Sequence, residues 1–282
     1  MRALLFKRGA LVLFVLSTLL VVSTVYAAPG LLADIIGKSD KTIRLEPVTS
    51  GLTAPIYGTF APGGDGRLFV SDQDGILWAI DLADGSKSVF ADLSGLLVPL
   101  GAFGPGTFDE RGFLGLAFHP EYTSNGLVYT LTSEPVGSEA DFSTLPPNTT
   151  ANHQAVIREW QVSDPGDPAS VVDPASVREM LRIDEPQFNH NAGALNFGHD
   201  GMLYIALGDG GGRDDQGIGH GDSGNAQDPS NPLGSILRID PQGSNSANGQ
   251  YGIPADNPFV CLLYTSPSPR DSLHKLVLPN KL

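Results

Sequence analysis

The sequence predicts an all-β chain built from consecutive β-propeller blades, and three observations carry that prediction. Three stretches repeat one grammar: YGTFAPGGDGRLFVSD at 57–72, LGLAFHPEYTSNGLVYTLT at 114–132 and GALNFGHDGMLYIALGD at 193–209. A further strand-like run follows each of them, and no strong helical periodicity interrupts the series. Short strands recurring at intervals of tens of residues are the pattern of radial repeats. A sandwich of similar strands would share the strand content, although not the repeated grammar.

The N-terminal segment comes first and stands outside the repeats. Arg2, Lys7 and Arg8 precede the apolar run LVLFVLSTLLVVSTV, and Val25-Tyr26-Ala27 fits a small-x-small cleavage site. Residues 1–27 therefore read as an export signal, with a mature chain beginning near Ala28 and a lead-in over 28–44. An uncleaved anchor is the alternative, but the run is short for a span of ~20 residues. After cleavage no stable membrane span is expected.

Each repeat reads as a hairpin followed by a third strand. The apolar first strands end at Phe60, Phe118 and Phe197, and Asp65-Gly66, Asn125-Gly126 and Asp200-Gly201 supply the turn chemistry. ILWAID at 76–81, VIREWQV at 156–162 and ILRID at 236–240 continue the three sheets. The position of Phe60, Phe118 and Phe197 in the repeat predicts that all three rings are buried. The long insertion at 133–154 reads as a loop, and loops over rigid scaffolds are where function is usually carried.

The C-terminal 22 residues, 261–282, change character from acidic and Gly-rich to basic. CLLYTSPSPRD at 261–271 corresponds to the in-frame translation of a transposase sequencing adapter, so the stretch after Val260 is expected to be non-native and to form no blade strand. Between residues 28 and 260 the chain holds 11 Lys and Arg against 30 Asp and Glu, a net charge of −19. Nucleic acid is a poor partner for such a surface. The single cysteine, Cys261, lies in the suspect tail, so stability must come from the core rather than from disulfides.

The chemistry concentrates in QFNHNAGALNFGHDGMLYIALGDGGG at 187–212, where His190 sits between two asparagines and Asp209 closes the following strand. A neutral imidazole oriented by a carboxylate can act as a general base at ordinary pH. The bland reading is a polar turn histidine and a Gly-Asp-Gly-Gly turn. Asp214 and Asp215 fit no calcium-loop spacing and read as a solvated loop. His119, directly after Phe118, reads as structural.

Glu110-Arg111-Gly112-Phe113-Leu114-Gly115-Leu116-Ala117-Phe118-His119-Pro120 resembles the E/Q-x-G-L-L-G-L-A-F-H-P segment of the soluble glucose/sorbosone dehydrogenase family. The likeness continues through His190-Asn191-Ala192-Gly193, Leu207-Gly208-Asp209-Gly210, Ala226-Gln227-Asp228, Leu233 to Asp240 and Ile253 to Phe259, covering residues 45–260. It implies a six-bladed propeller of which this chain holds about three blades. The implied activity is oxidation of a sugar (aldose) hydroxyl by hydride transfer to pyrroloquinoline quinone, with calcium beside the quinone and an electron acceptor to follow.

By the same resemblance His190 is the catalytic histidine, Asp209 its orienting aspartate, Glu110 a residue lining the quinone site, and Asn189 a cofactor contact where the best-known glucose oxidisers have aspartate. It implies a secreted or periplasmic quinoprotein, and a fragment inactive on its own because the quinone-binding arginines and calcium ligands belong to the second half. The alternative is a non-catalytic carbohydrate- or protein-binding propeller related to hedgehog-interacting proteins.

Overall fold

Among the described residues, three four-stranded antiparallel sheets follow one another, each a simple meander. The structure, a computed structural model, describes residues 44–257 and the backbone of 275–276. The export segment at 1–27, most of the lead-in and residues 258–274 lie outside the described residues. Among the described residues no helix is long and apolar enough to cross a membrane. The described residues from Val48 onward form one compact unit, and all that follows concerns it.

Sheet 1 runs β1 (Pro55–Thr59), β2 (Arg67–Asp72), β3 (Ile76–Asp81) and β4 (Lys87–Asp92). Sheet 2 runs β5 (Phe113–Phe118), β6 (Leu127–Glu134), β7 (His153–Val162) and β8 (Val172–Glu185). Sheet 3 runs β9 (Ala192–Phe197), β10 (Leu203–Leu207), β11 (Ile236–Ile239) and the two-residue β12 (Lys275–Leu276). The hairpins expected from the Gly turns are therefore β1–β2, β5–β6 and β9–β10, and the third runs are β3, β7 and β11. The β5–β6 turn contains a one-turn helix, α1 (Tyr122–Asn125), capped by Gly126 in the left-handed region at φ 66°. A β-carbon there would strike the carbonyl of Val162, so the turn needs glycine twice over.

Two cores hold the sheets together, and sheet 2 contributes to both. One gathers Phe69, Leu77 and Phe90 of sheet 1 with Phe113, Leu116, Phe118, Val128 and Trp160 of sheet 2. The other gathers Leu131, Ala155, Ile157, Leu181 and Ile183 of sheet 2 with Leu195, Leu203, Ile205 and Leu237 of sheet 3. Sheet 2 is buried on both faces because its strands alternate apolar side chains to opposite sides. Phe69 meets Phe118 with ring centroids 4.8 Å apart, and Phe118 meets Tyr122 edge-on at 4.8 Å. Such pairs add about 0.5–1.5 kcal/mol each beyond the area they bury.

The three phenylalanines at the ends of β1, β5 and β9 differ in fate. Phe118 is buried against sheet 1, and Phe197 is half-buried against His119 and Tyr129 of sheet 2 at 5.2 and 5.3 Å. Phe60 is 58% exposed, which corrects the expectation that all three rings are buried. The reason is positional: each of the other rings docks on the preceding sheet, and none precedes sheet 1 among the described residues.

A second correction concerns the tail. The backbone of Lys275 and Leu276 pairs with Leu237 and Ile236 at the outer edge of sheet 3, where no strand after Val260 was expected. An open strand edge accepts any extended backbone, whatever its side chains were selected for.

Candidate functional site

The loop entering β9 and the loop leaving β10 meet at one end of sheet 3, where they bring His190 and Asp209 together. His190 has a left-handed backbone, φ 59°, uncommon for a residue with a side chain, and Ala192 two positions on shares it at φ 53°. The His190 backbone N–H donates to Glu110 Oε2 at 2.6 Å, so a carboxylate from the loop before β5 holds the turn from 80 residues away. The imidazole Nδ1 lies 2.8 Å from Asp209 Oδ1. With the proton on Nδ1 the contact is a donated hydrogen bond, and Nε2 keeps its lone pair.

The imidazole is 41% exposed and the Asp209 side chain 21%. Nε2 makes no hydrogen bond among the described residues, and the exposure of the ring leaves it accessible. Asp209 is itself fixed: Oδ1 also accepts from Gly211 N–H at 3.1 Å, and its carbonyl accepts from Asn225 Nδ2 at 2.8 Å. Gly208 lets the two loops approach, since a β-carbon there would overlap the carbonyl oxygen of His190. Asn189 flanks the site, its Oδ1 2.9 Å from where a β-carbon on Gly211 would lie. All four residues singled out from the sequence thus converge on one end of the fold.

Asp215 is not merely solvated. It accepts from His220 Nδ1 at 2.7 Å, Asn225 N–H at 2.8 Å and Ala226 N–H at 2.9 Å. Burial pushes its carboxyl upward, but these donors outweigh it and hold the group below the usual carboxylate range. Asn225 reaches both this anchor and the Asp209 carbonyl, so the 209–226 loop is tied to itself behind the site. His119 is structural: Nδ1 lies 3.0 Å from Glu121 N–H and 2.8 Å from Asn125 Nδ2.

Two groups near the site escaped the sequence reading. His153 opens β7, Glu185 closes β8, and they stand opposite each other in register, both fully buried. Neither His153 Nε2 nor either Glu185 carboxyl oxygen has a hydrogen-bond partner. Burial holds His153 down at about 3, helped by the nearby Arg111 charge and opposed by Asp109. Burial raises Glu185 well above the carboxylate range, and the charges of Asp209 and Asp184 add to it. The one sequence sign was a titratable residue in alternation with the apolar inward positions, Ala155 and Ile157 on β7 and Leu181 and Ile183 on β8.

Among the described residues no three His, Cys, Asp or Glu side chains gather into a cation site. Away from the dyad, the 135–152 loop bounds a cavity of about 650 Å³ walled by Val136, Phe142, Leu145 and Pro146, with Gln154 and Asp184 at its edge.

Comparison with known proteins places this geometry in context. The family described as glucose/sorbosone dehydrogenase matches residues 52–263. Among curated proteins, the HIPL1 protein of Arabidopsis thaliana is 32% identical over 231 residues, covering 70% of this chain and 32% of the relative. Hedgehog-interacting protein of Mus musculus is 32% identical over 216 residues, covering 76% and 28%. Among solved structures, a putative oxidoreductase (glucose dehydrogenase) of Thermus thermophilus aligns with a TM-score of 0.52 at 25% identity, covering 77% of this chain and 50% of that one. The soluble aldose sugar dehydrogenase of Escherichia coli in its apo-form aligns at 0.51 and 22%, covering 76% and 50%, and shows the fold alone. The chain spans about a third of the length of these curated relatives and half of these structures.

Proposed function

The chain belongs to the glucose/sorbosone dehydrogenase family, and from that premise we propose that it supplies the proton-accepting side of an exported, quinone-dependent sugar oxidoreductase. The three sheets are read as three blades of a propeller, with the dyad on one end of the ring. The observation that carries the reading is the His190–Asp209 pair, held at 2.8 Å with the imidazole 41% exposed. Oxidising a sugar hydroxyl removes a hydride from carbon and a proton from oxygen. His190 Nε2 takes that proton, while Asp209 fixes the tautomer and stabilises the imidazolium that results.

Pyrroloquinoline quinone, when bound, supplies the hydride acceptor. The residues present fit the reacting end of such a group: Glu110 and Asn189 lie beside His190, whose imidazole is 41% exposed. Of the basic residues nearest in sequence, Arg111 is committed to Asp109 and Asn152, and Arg213 extends into solvent beside Asp214. Neither is placed to take the quinone carboxylates. No carboxylate cluster suited to calcium is found among the described residues, and no step here uses one.

A second reading, a binding propeller without catalysis, is favoured by the 32% identity to hedgehog-interacting protein. One experiment separates the two. The protein carrying this chain in its full length is loaded with quinone and calcium and assayed for aldose oxidation with an artificial electron acceptor. His190→Ala is expected to lower turnover about 100- to 10,000-fold while quinone binding persists. Unchanged turnover in His190→Ala at saturating quinone overturns the catalytic role, and a wild type that binds quinone but oxidises no aldose favours the binder.

A further inference from the structure

Behind the dyad, on the face of sheet 2 that packs against sheet 3, three polar side chains lie where the strand pattern calls for apolar ones. Leu131, Ala155, Ile157, Leu181 and Ile183 form the core on this face. Strand alternation puts Ser133, His153 and Glu185 on the same face at the end nearest the loop of His190. Ser133 pairs in register with Ala155, and His153 with Glu185. Opposed residues on neighbouring strands have β-carbons about 4.5–5.5 Å apart, close enough for one water to span their polar ends. Ser133 Oγ, His153 Nε2 and both Glu185 oxygens are all buried and unpartnered. Buried polar atoms left so at one place require an explanation.

The tautomer of His153 narrows that explanation. Its Nδ1 lies 3.2 Å from Asn152 Oδ1, an acceptor that also takes a bond from Arg111. The proton of His153 is thus on Nδ1, and Nε2 is a bare acceptor. Opposite stands a carboxyl with no cation against it. The charged groups around the pair are Arg111 and Asp109 on the His153 side and Asp209 and Asp184 on the Glu185 side. The two residues stand opposite in register without touching through their polar atoms, and one water accepting the carboxyl proton and donating to Nε2 satisfies both.

We propose that Glu185 is a neutral carboxylic acid linked to His153 Nε2 through one buried water that Ser133 Oγ also meets, forming a second, buried and uncharged acid–imidazole pair behind His190 and Asp209. Its role is positioning by charge. An ionised Glu185 would add a second negative charge beside Asp209 and favour a permanently protonated His190, whereas the neutral acid leaves Asp209 as the charge that orients the base. This consequence rests on the dyad reading; the protonation state of Glu185 does not.

Infrared spectroscopy of the wild-type chain at neutral pH tests the pair without any turnover. The expected result is a protonated carboxylic-acid carbonyl band that shifts in heavy water and is absent in Glu185→Gln. The proton titration of His190, followed by NMR, should move less than about twofold in binding constant between the two proteins. If Glu185→Gln does not fold, His153→Gln should shift the frequency of the same band. A folded wild type with no such band, or a roughly tenfold weaker proton affinity of His190 in Glu185→Gln, overturns the proposal. The band without aldose oxidation would count against the proposed function and leave the pair standing; oxidation without the band would do the reverse.

Discussion

His153 and Glu185 face each other across β7 and β8, fully buried and in register, and folding changes the proton occupancy of both. Their ordinary values are 6.5 and 4.5; in the fold burial carries His153 down to about 3 and Glu185 well upward. Between pH 4.5 and 6.5 the unfolded pair holds one proton on the imidazole and the folded pair one on the carboxyl, so their contribution to stability is flat. Below 4.5 the unfolded state holds two protons to one, and stability falls as pH drops until His153 charges near 3. Above 6.5 the unfolded state holds none to one, and stability falls as pH rises toward the raised value of Glu185.

Each limb should approach about 1.4 kcal/mol per pH unit. Urea unfolding across this range should show the plateau. Glu185→Gln should remove this pair's alkaline limb and bring its acid limb up to begin near 6.5. Identical profiles for the two proteins would contradict the assignment.

Gly208 is predicted to be intolerant of any side chain. A β-carbon there would collide with backbone, the carbonyl of His190, rather than with a movable side chain. Gly208→Ala should cost about 1–3 kcal/mol, typical of forced overpacking, and weaken the His190–Asp209 contact. Denaturant midpoints and the His190 NMR titration would record both effects, and a wild-type midpoint would show that the loops have room to part.

Glu134 is the hub of an ion network on the opposite face of sheet 2. Its carboxylate pairs with Arg158 and lies 3.6 Å from Arg182, while Glu179 meets the same two guanidinia at 2.8 and 2.6 Å. Glu134 and Arg182 side chains are each 7% exposed. Glu134→Ala strands two buried cations with a half-exposed partner and should cost about 3–5 kcal/mol. A thermal or urea series showing less than about 1 kcal/mol would mean that water reaches the arginines.

Asp209→Asn should reduce aldose oxidation by less than His190→Ala does. The amide can keep the contact to His190 while losing the charge that stabilises its imidazolium, and the base itself remains. Steady-state rates of the two variants, measured side by side with saturating quinone, check the order; a larger loss in Asp209→Asn would assign the base elsewhere.

What the sequence determined by itself was local or repeated: the strand runs, the Gly turns, the order of three meanders and the candidacy of His190 and Asp209, to which the family resemblance added Glu110 and Asn189. Alternation and turn chemistry act over a few residues, so they can be read directly. Only the tertiary structure decided what depends on distant segments meeting. It placed Glu110 under the His190 turn and tied Asp215 to the loop behind Asp209. It also left Phe60 exposed, because a ring of the same repeat is buried only where an earlier sheet lies beside it. The His153–Glu185 pair was hidden for a related reason: each stands at a strand end among other polar residues, and strand register alone makes them partners.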